Sequence, residues 1–301
     1  MRILVATDFS PQSDRALRRA ILIARQCDAA ITLVHVVEHD QSSNLIKRQR
    51  EIAHNHLNAT VETIGSIDGV PANFVVAIGD IAREIDLAAE RTGSRLIVMG
   101  PHRRQFGDLF AGTVADRTVR ASRYPVLLAN APPSGHYRKS LLAIDFDDAS
   151  STAVTAAKIL PFVRRSRLSA VHLFDAPAAG MMKRSMHAPE SIEEYIGHES
   201  RRAAARLTEF ISANGTSLSK PILRPHHGSP TAAIISCADE LSADLIIVGT
   251  NQRAGVDRFV LGSIARDVLL ASKRDVLVVP VSTQQTIIGS KVLSSELECV
   301  H

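Results

Sequence analysis

ILVATDF at residues 3–9 and LLAIDF at residues 141–146 are two copies of one pattern, an apolar strand that ends at an aspartate. The two aspartates lie 137 residues apart (145 − 8), and the same offset separates His35 from His172 in the next apolar run (172 − 35). Two matches at one offset are hard to obtain by chance. The opening of the chain therefore predicts an internal repeat.

Later segments of the chain keep the same order. Gly100 corresponds to Gly249 at an offset of 149 (249 − 100), and Gly112 corresponds to Gly262 at an offset of 150 (262 − 112). Because the order never changes and the offset grows only through insertions, we predict two tandem domains of one design. The predicted boundaries are 1–131 for domain 1, 132–137 for the linker, 138–281 for domain 2 and 282–301 for a C-terminal tail.

Each half alternates short apolar runs with longer amphipathic stretches, which is typical of an α/β domain with a mainly parallel sheet. In the first half we predict strands near residues 2–7, 30–36, 72–78, 95–99 and 125–129, and helices near 11–27, 43–66, 80–92 and 113–122. Ser10, Asp80 and Ser229 are predicted helix caps, because each places a short polar side chain just before a helical pattern. The segment MMKRSMH at residues 181–187 is predicted to be a mobile loop before a helix.

The composition argues against several classes of protein. Three widely separated cysteines with no CxxC pair favour neither a disulfide framework nor a Cys-based metal site, and they suit a reducing cytosol. No apolar run reaches the roughly 18 residues of a membrane span, and the start of the chain lacks the apolar core of a secretion signal. The net charge of +4 is spread along the chain and tryptophan is absent, so we expect small anionic ligands and no nucleic-acid partner. We therefore predict a cytoplasmic protein.

Ligands of open parallel sheets bind beyond the carboxyl ends of the strands, where the strand order reverses. Asp8 and Asp145 end the first strand of each half, and a glycine-bearing loop follows the fourth strand. In the second half this loop runs from Gly249 to Gly262-Ser263, where a new helix is predicted to begin. Unpaired N–H groups, a hydroxyl and the positive end of a helix dipole meet there. This combination predicts a phosphate-binding site.

Three segments together resemble the universal stress protein family: LVATDFS at residues 4–10, GTNQRAGVDRFVLGSIARDVL at 249–269 and VLVVP at 276–280. The resemblance implies two tandem copies of an open five-stranded parallel-sheet, Rossmann-like α/β domain. It also implies binding of an adenine nucleotide, ATP or AMP, with Mg²⁺ as a companion ion. By the same resemblance the last strand of each half pairs at a sheet edge. We expect the two to pair within the chain as a pseudo-dimer, and a further homodimer stays open.

ATP-binding members of that family carry G-x2-G-x9-G-[ST] in the loop after strand four. The second half keeps this spacing but has Gln252 at the middle glycine, whereas the first half has Arg103 there and is one residue short. We therefore predict the better nucleotide site in the second half and an altered or silent copy in the first, although the arginines there can replace part of the lost contact. The candidate binding residues are Ala143, Ile144, Asp145, Leu173, Val248, Gly249, Asn251, Gln252, Arg253, Gly262, Ser263 and Ile264 in the second half, and Ala6, Thr7, Asp8, Val36, Met99, Gly100, His102, Arg103, Gly112, Thr113 and Val114 in the first.

The leading hypothesis is a cytosolic stress-response protein that binds adenine nucleotide and acts through interaction or signalling with a protein partner. Two alternatives stay open. One is a ligand-free dimerisation or interaction module, and the other is a slow ATPase that uses Asp108 or Asp257 to hold a metal ion. Walker A, GxSxG and HExxH motifs are absent, so no catalytic or metal-binding residue is assigned. His35 and His172 are predicted core histidines whose rings pair with the backbone.

Overall fold

The computed structural model describes residues 1–101, 113–185, 188–215, 219–226, 228–250 and 262–281. The elements of the first half are β1 (Arg2–Ala6), α1 (Pro11–Cys27), β2 (Ala30–Val37), α2 (Ser43–Thr63), β3 (Ala72–Ile78), α3 (Ile81–Thr92), β4 (Leu96–Met99), α4 (Val114–Ala121) and β5 (Val126–Leu128). Those of the second half are β6 (Lys139–Ala143), α5 (Asp148–Ile159), α6 (Pro161–Arg164), β7 (Arg167–Asp175), α7 (Pro177–Arg184), α8 (Pro189–Ala213), β8 (Ser219–His226), α9 (Pro230–Glu240), β9 (Leu245–Thr250), α10 (Ser263–Ala271) and β10 (Asp275–Pro280).

All ten of these strands form one sheet in the order β3-β2-β1-β4-β5-β10-β9-β6-β7-β8. Within each half the five strands are parallel, and the two halves join where β5 pairs antiparallel with β10. Leu127 lies opposite Leu277, and these two residues also correspond to each other in the repeat (277 − 127 = 150). A pseudo-two-fold axis therefore passes between them. The expectation that the last strands pair within the chain is confirmed.

The hydrophobic core lies in two layers, one on each face of this sheet, and both layers run across the junction of the halves. Leu127 and Leu277 point into the layer beneath α1, α2, α5 and α8, whereas Val126 and Val276 belong to the layer beneath α3, α4, α9 and α10. Alternate residues of a strand face opposite sides, so the short strand β5 contributes to both layers. Because each buried layer contains residues of both halves, the two halves pack together as one body.

Helix starts follow the sequence pattern closely. The side chains of Ser10, Asp80 and Ser229 accept hydrogen bonds from backbone N–H groups three residues later, as predicted for N-caps. The predicted helix at 43–66 changes character earlier, because α2 ends at Thr63 and a π-helical turn continues to Asp68. Gly69 then takes a left-handed conformation with φ of 66°, which glycine adopts without steric penalty.

An inserted helix distinguishes the second half from the first. The predicted loop at 181–187 is wrong for residues 181–184, which form the end of α7, and residues 186–187 lie outside the described residues. The helix is held by a small separate apolar cluster in which Ala179 packs with Ile192 of α8. A satellite cluster of this kind buries enough of a short segment to order it. The residues of α8 that complete the cluster lie outside the segment itself, so its local sequence did not indicate a helix.

Candidate functional site

The predicted binding residues of the first half converge on one crevice. It has a volume of about 740 Å³ and lies outside the carboxyl ends of β1 and β4, where the strand order reverses. Seven of the eight described first-half candidates line it: Ala6, Thr7, Asp8, Val36, Met99, Gly100 and Val114. The eighth, Thr113, lies beside it as the N-cap of α4 and borders a smaller cavity of about 390 Å³ between the halves.

A tight turn at the end of β1 shapes this crevice. Phe9 adopts a left-handed backbone with φ of 61°, which is unusual for a bulky side chain, and its ring stacks on His35 with 4.4 Å between centroids. The imidazole Nδ1 of His35 lies 2.9 Å from the carbonyl oxygen of Thr7, so Nδ1 donates to it. Stacking on a ring that is itself tied to the backbone stabilises the strained turn.

The second half repeats this turn in detail. Phe146 has φ of 57° and its ring lies 4.1 Å from that of His172, whose Nδ1 donates to the carbonyl of Ile144 at 2.8 Å. The prediction that both histidines pair with the backbone is confirmed, but only His172 is a buried core residue, because His35 is half-buried and lines the crevice. The duplication therefore preserved a specific side-chain arrangement as well as the order of strands and helices.

The two aspartates that follow β1 and β6, Asp8 and Asp145, have pKa values shifted in opposite directions. Burial alone would raise the pKa of Asp8, but hydrogen bonds from Ser10 and Ser13 lower that pKa below its ordinary value. The pKa of Asp145 is raised instead, first by burial and then by the negative charge of Asp147. The first half therefore favours a carboxylate at this position more strongly than the second half does.

Several crevice residues were not predicted from sequence. Arg15 of α1 lines the crevice, and its guanidinium Nη1 donates to the carbonyl of Asn130 at 2.7 Å. Its counterpart in the second half is Thr152 (152 − 15 = 137), which is buried and uncharged. The sequence does contain a clue that Arg15 belongs to the crevice, because Arg15 lies one turn into a helix that begins directly after the β1 turn. The other unpredicted residues are Ser10, Pro11, Gln12, Ser13, Val34, His35, Ile81, Ile85, Pro101 and Ala115.

The glycine that follows strand four has a packing role in both halves. A Cβ atom on Gly100 would lie 2.3 Å from the carbonyl oxygen of Gln12, and one on Gly249 would lie 2.3 Å from that of Ala149. The first turn of α1 or α5 presses directly onto the strand end at these points. Gly262 differs, because no atom of the described residues lies within 4 Å of the point that a Cβ would occupy. Of Gly100, Gly249 and Gly262, only Gly262 has room for a Cβ atom among the described residues.

The second-half candidates that the structure describes lie at the corresponding strand ends and at the start of α10. Gly262 is the N-cap of that helix and offers no side-chain hydrogen bond, whereas Thr113 of the first half accepts one from the backbone N–H of Asp116 at 3.1 Å. The start of α10 is also open, with Ile264 38% exposed. The candidates that lie outside the described residues are His102, Arg103, Gly112, Asn251, Gln252 and Arg253, together with Asp108 and Asp257.

Comparison with known proteins gives the family. The sequence model of the Universal stress protein family matches residues 1–130 and again residues 136–280. This chain belongs to the universal stress protein family. It carries two family domains in tandem, so the family and the α/β fold expected from its motifs are confirmed. The family comprises stress-response proteins, some of which bind ATP, and its members often dimerise.

Relatives match either one half of this tandem family member or nearly all of it. A universal stress protein of Mycolicibacterium smegmatis is 23% identical over 298 residues, covering 92% of this chain and 96% of the relative. Universal stress protein A homolog 1 of Coxiella burnetii is 30% identical over 147 residues, covering 48% of this chain and 96% of its own length. The crystal structure of a universal stress protein from Archaeoglobus fulgidus superposes with a TM-score of 0.66 at 19% identity, covering 93% and 96% of the two chains.

Metal-binding clusters and membrane-spanning helices are both absent from the described part of this family member. No three His, Cys, Asp or Glu side chains among those residues form a group that could hold a metal ion. No helix within them is both long and apolar enough to cross a bilayer.

Proposed function

We propose that this universal stress protein binds an adenine nucleotide and that the crevice of its first half is a binding site. The convergence of seven residues predicted from the sequence on one crevice supports this proposal. Its volume of about 740 Å³ falls in the range of roughly 300–1,000 Å³ that is typical of small-molecule sites. The sequence favoured the second half, and that preference stays a prediction which the experiment below addresses.

The lining residues suit the parts of a nucleotide. Val36 and Met99 offer apolar surface to a base, and the carboxylate of Asp8 can accept hydrogen bonds from a base or ribose. Arg15 supplies a cation, and the start of α4 supplies backbone N–H groups, so phosphates have two sources of positive potential. Mg²⁺ would then be held mainly by the phosphates.

Bound nucleotide would act by occupancy. Both β4 and α4 border the crevice, so a ligand there contacts both ends of the segment that connects them. We propose that this contact changes the surface that a protein partner meets. A ligand can shift such an equilibrium only by its difference in affinity for the two states, so the nucleotide must bind one arrangement better.

The test is calorimetric titration of the purified chain with ATP and AMP, with and without Mg²⁺. Ala6→Trp fills the first crevice, and Ala143→Trp is the matched change at the corresponding position of the second half (143 − 6 = 137). Circular dichroism and thermal unfolding must show that both variants remain folded before their binding is compared. Loss of binding in Ala6→Trp alone supports the first-half site.

Other outcomes of this titration discriminate between hypotheses. Loss of binding in Ala143→Trp alone would overturn the first-half assignment and support the sequence-based preference. Half the stoichiometry in each variant would indicate two sites. Failure of the unsubstituted chain to bind at millimolar ATP would refute the nucleotide proposal and leave the ligand-free interaction module.

A further inference from the structure

The two halves meet around a pseudo-two-fold axis, but equivalent positions on the two sides of this junction carry side chains of different charge. In a symmetric pair of identical domains, each residue of the interface meets the same set of residues from the partner. Here α4 and α10 are equivalent helices, and Asp116 of α4 corresponds to Arg266 of α10 (266 − 116 = 150). The neighbouring positions are reversed in the same way, with Arg117 corresponding to Asp267.

The two equivalent residues contact each other across the axis. Nε of Arg266 lies 3.4 Å from Oδ1 of Asp116, whose side chain is only 4% exposed. Arg120 approaches the other carboxylate oxygen of Asp116 at 3.1 Å from within α4. A pair of two first halves would bring two Asp116 carboxylates together, and a pair of two second halves would bring two Arg266 guanidinium groups together. Both like-charged arrangements are repulsive.

A second ion pair across the junction is almost completely buried. Nε of Arg19 in α1 lies 2.8 Å from Oδ2 of Asp275 in β10, and their side chains are 5% and 0% exposed. The positions equivalent to them are Ala156 (156 − 19 = 137) and Pro125 (275 − 125 = 150), neither of which is charged. A pair of two first halves would set Arg19 against Pro125. A pair of two second halves would set Asp275 against Ala156.

The buried carboxylate also fixes the segment between the halves. Tyr137 donates its hydroxyl to Oδ2 of Asp275 at 2.6 Å, and the backbone N–H of Ala131 donates to Oδ1 at 2.8 Å. The guanidinium of Arg19 lies 4.5 Å from the centre of the Tyr137 ring and donates to the carbonyl of Gly135 at 2.7 Å. An unpaired buried charge at either position is strongly unfavourable.

We propose that this junction is a heterospecific interface, in which each half fits the other half and neither fits a copy of itself. The two ion pairs supply the discrimination, because each is complementary only when a first half meets a second half. The partner of the β5 edge is therefore the β10 edge of a second-half domain, and pairing of like halves through this face is disfavoured. The two halves therefore form a matched pair at this junction.

The test is a set of thermal unfolding midpoints measured on the full chain. Asp116→Asn should lower the midpoint in the unsubstituted chain, because it removes the partner of Arg266. In an Arg266→Asp background the same substitution should raise the midpoint or lower it much less, because it relieves repulsion between two carboxylates. Leu277→Ala, on the pseudo-axis, is the control background. It loosens the interface without changing charge, so Asp116→Asn should have its original effect there.

A second comparison examines the buried pair. Arg19→Met should lower the midpoint strongly by leaving Asp275 without its cation, and adding Asp275→Asn should restore part of the loss. The proposal is overturned if Asp116→Asn lowers the midpoint equally in the unsubstituted and Arg266→Asp backgrounds. It is also overturned if the losses from Arg19→Met and Asp275→Asn simply add.

Discussion

Adding one methyl group to the glycine after strand four should destabilise either half, although glycine-to-alanine changes are often mild. In Gly249→Ala the new Cβ would lie 2.3 Å from the carbonyl oxygen of Ala149, which is backbone within the first turns of α5. Carbon–oxygen contacts are normally no closer than about 3.3 Å, so the helix must move by about 1 Å. Overpacking of this kind typically costs about 1–3 kcal/mol. Because the obstacle is helix backbone rather than a flexible side chain, we expect a loss of about 2–3 kcal/mol.

The assay is urea unfolding followed by circular dichroism, with Gly100→Ala as the equivalent change in the first half. Its Cβ would lie 2.3 Å from the carbonyl oxygen of Gln12, so the same loss is expected. Gly262→Ser is the control, because no atom of the described residues lies within 4 Å of its Cβ position and serine is a favourable N-cap. A loss below about 0.5 kcal/mol in both alanine variants would refute the packing argument. A loss in Gly262→Ser as large as theirs would refute it as well.

Three further predictions follow from caps and titratable groups. Thr113→Ala should destabilise the chain by about 1 kcal/mol in urea unfolding, because α4 loses its N-cap hydrogen bond. NMR titration should place the pKa of Asp145 above that of Asp8, since burial and Asp147 raise the former while hydrogen bonds from Ser10 lower the latter. Because the raised pKa disfavours the folded state once Asp145 ionises, Asp145→Asn should stabilise the chain near pH 7, and this gain should vanish below about pH 4. Burial lowers the pKa of His172, so the folded state resists its protonation and stability should fall as the pH drops below about 6.5. His172→Gln should flatten that part of the unfolding profile, and an unchanged slope would contradict the assignment.

Sequence reasoning worked best where a short-range rule fixes the outcome. The period of the apolar runs predicted the strands, and a polar side chain before a helical pattern predicted the caps at Ser10 and Ser229. It failed at residues 181–184, where burial against Ile192 orders a helix that the local pattern did not indicate. It also missed Arg15 as a crevice residue, because its charge pattern resembles that of any solvent-facing helix.

The sequence by itself determined the duplication, the family and the order of strands and helices, and it placed the candidate residues of the first-half crevice at the strand ends. These follow from periodicity and from motifs, which depend on neighbouring residues. Only the tertiary structure decided how the halves differ. It showed that Gly249 is required by helix packing, that Arg15 gives the first crevice a cation, and that Asp116 meets its own equivalent, Arg266, across the axis. The physical reason is that these contacts join residues far apart along the chain, and such distances are fixed only when the sheet has formed.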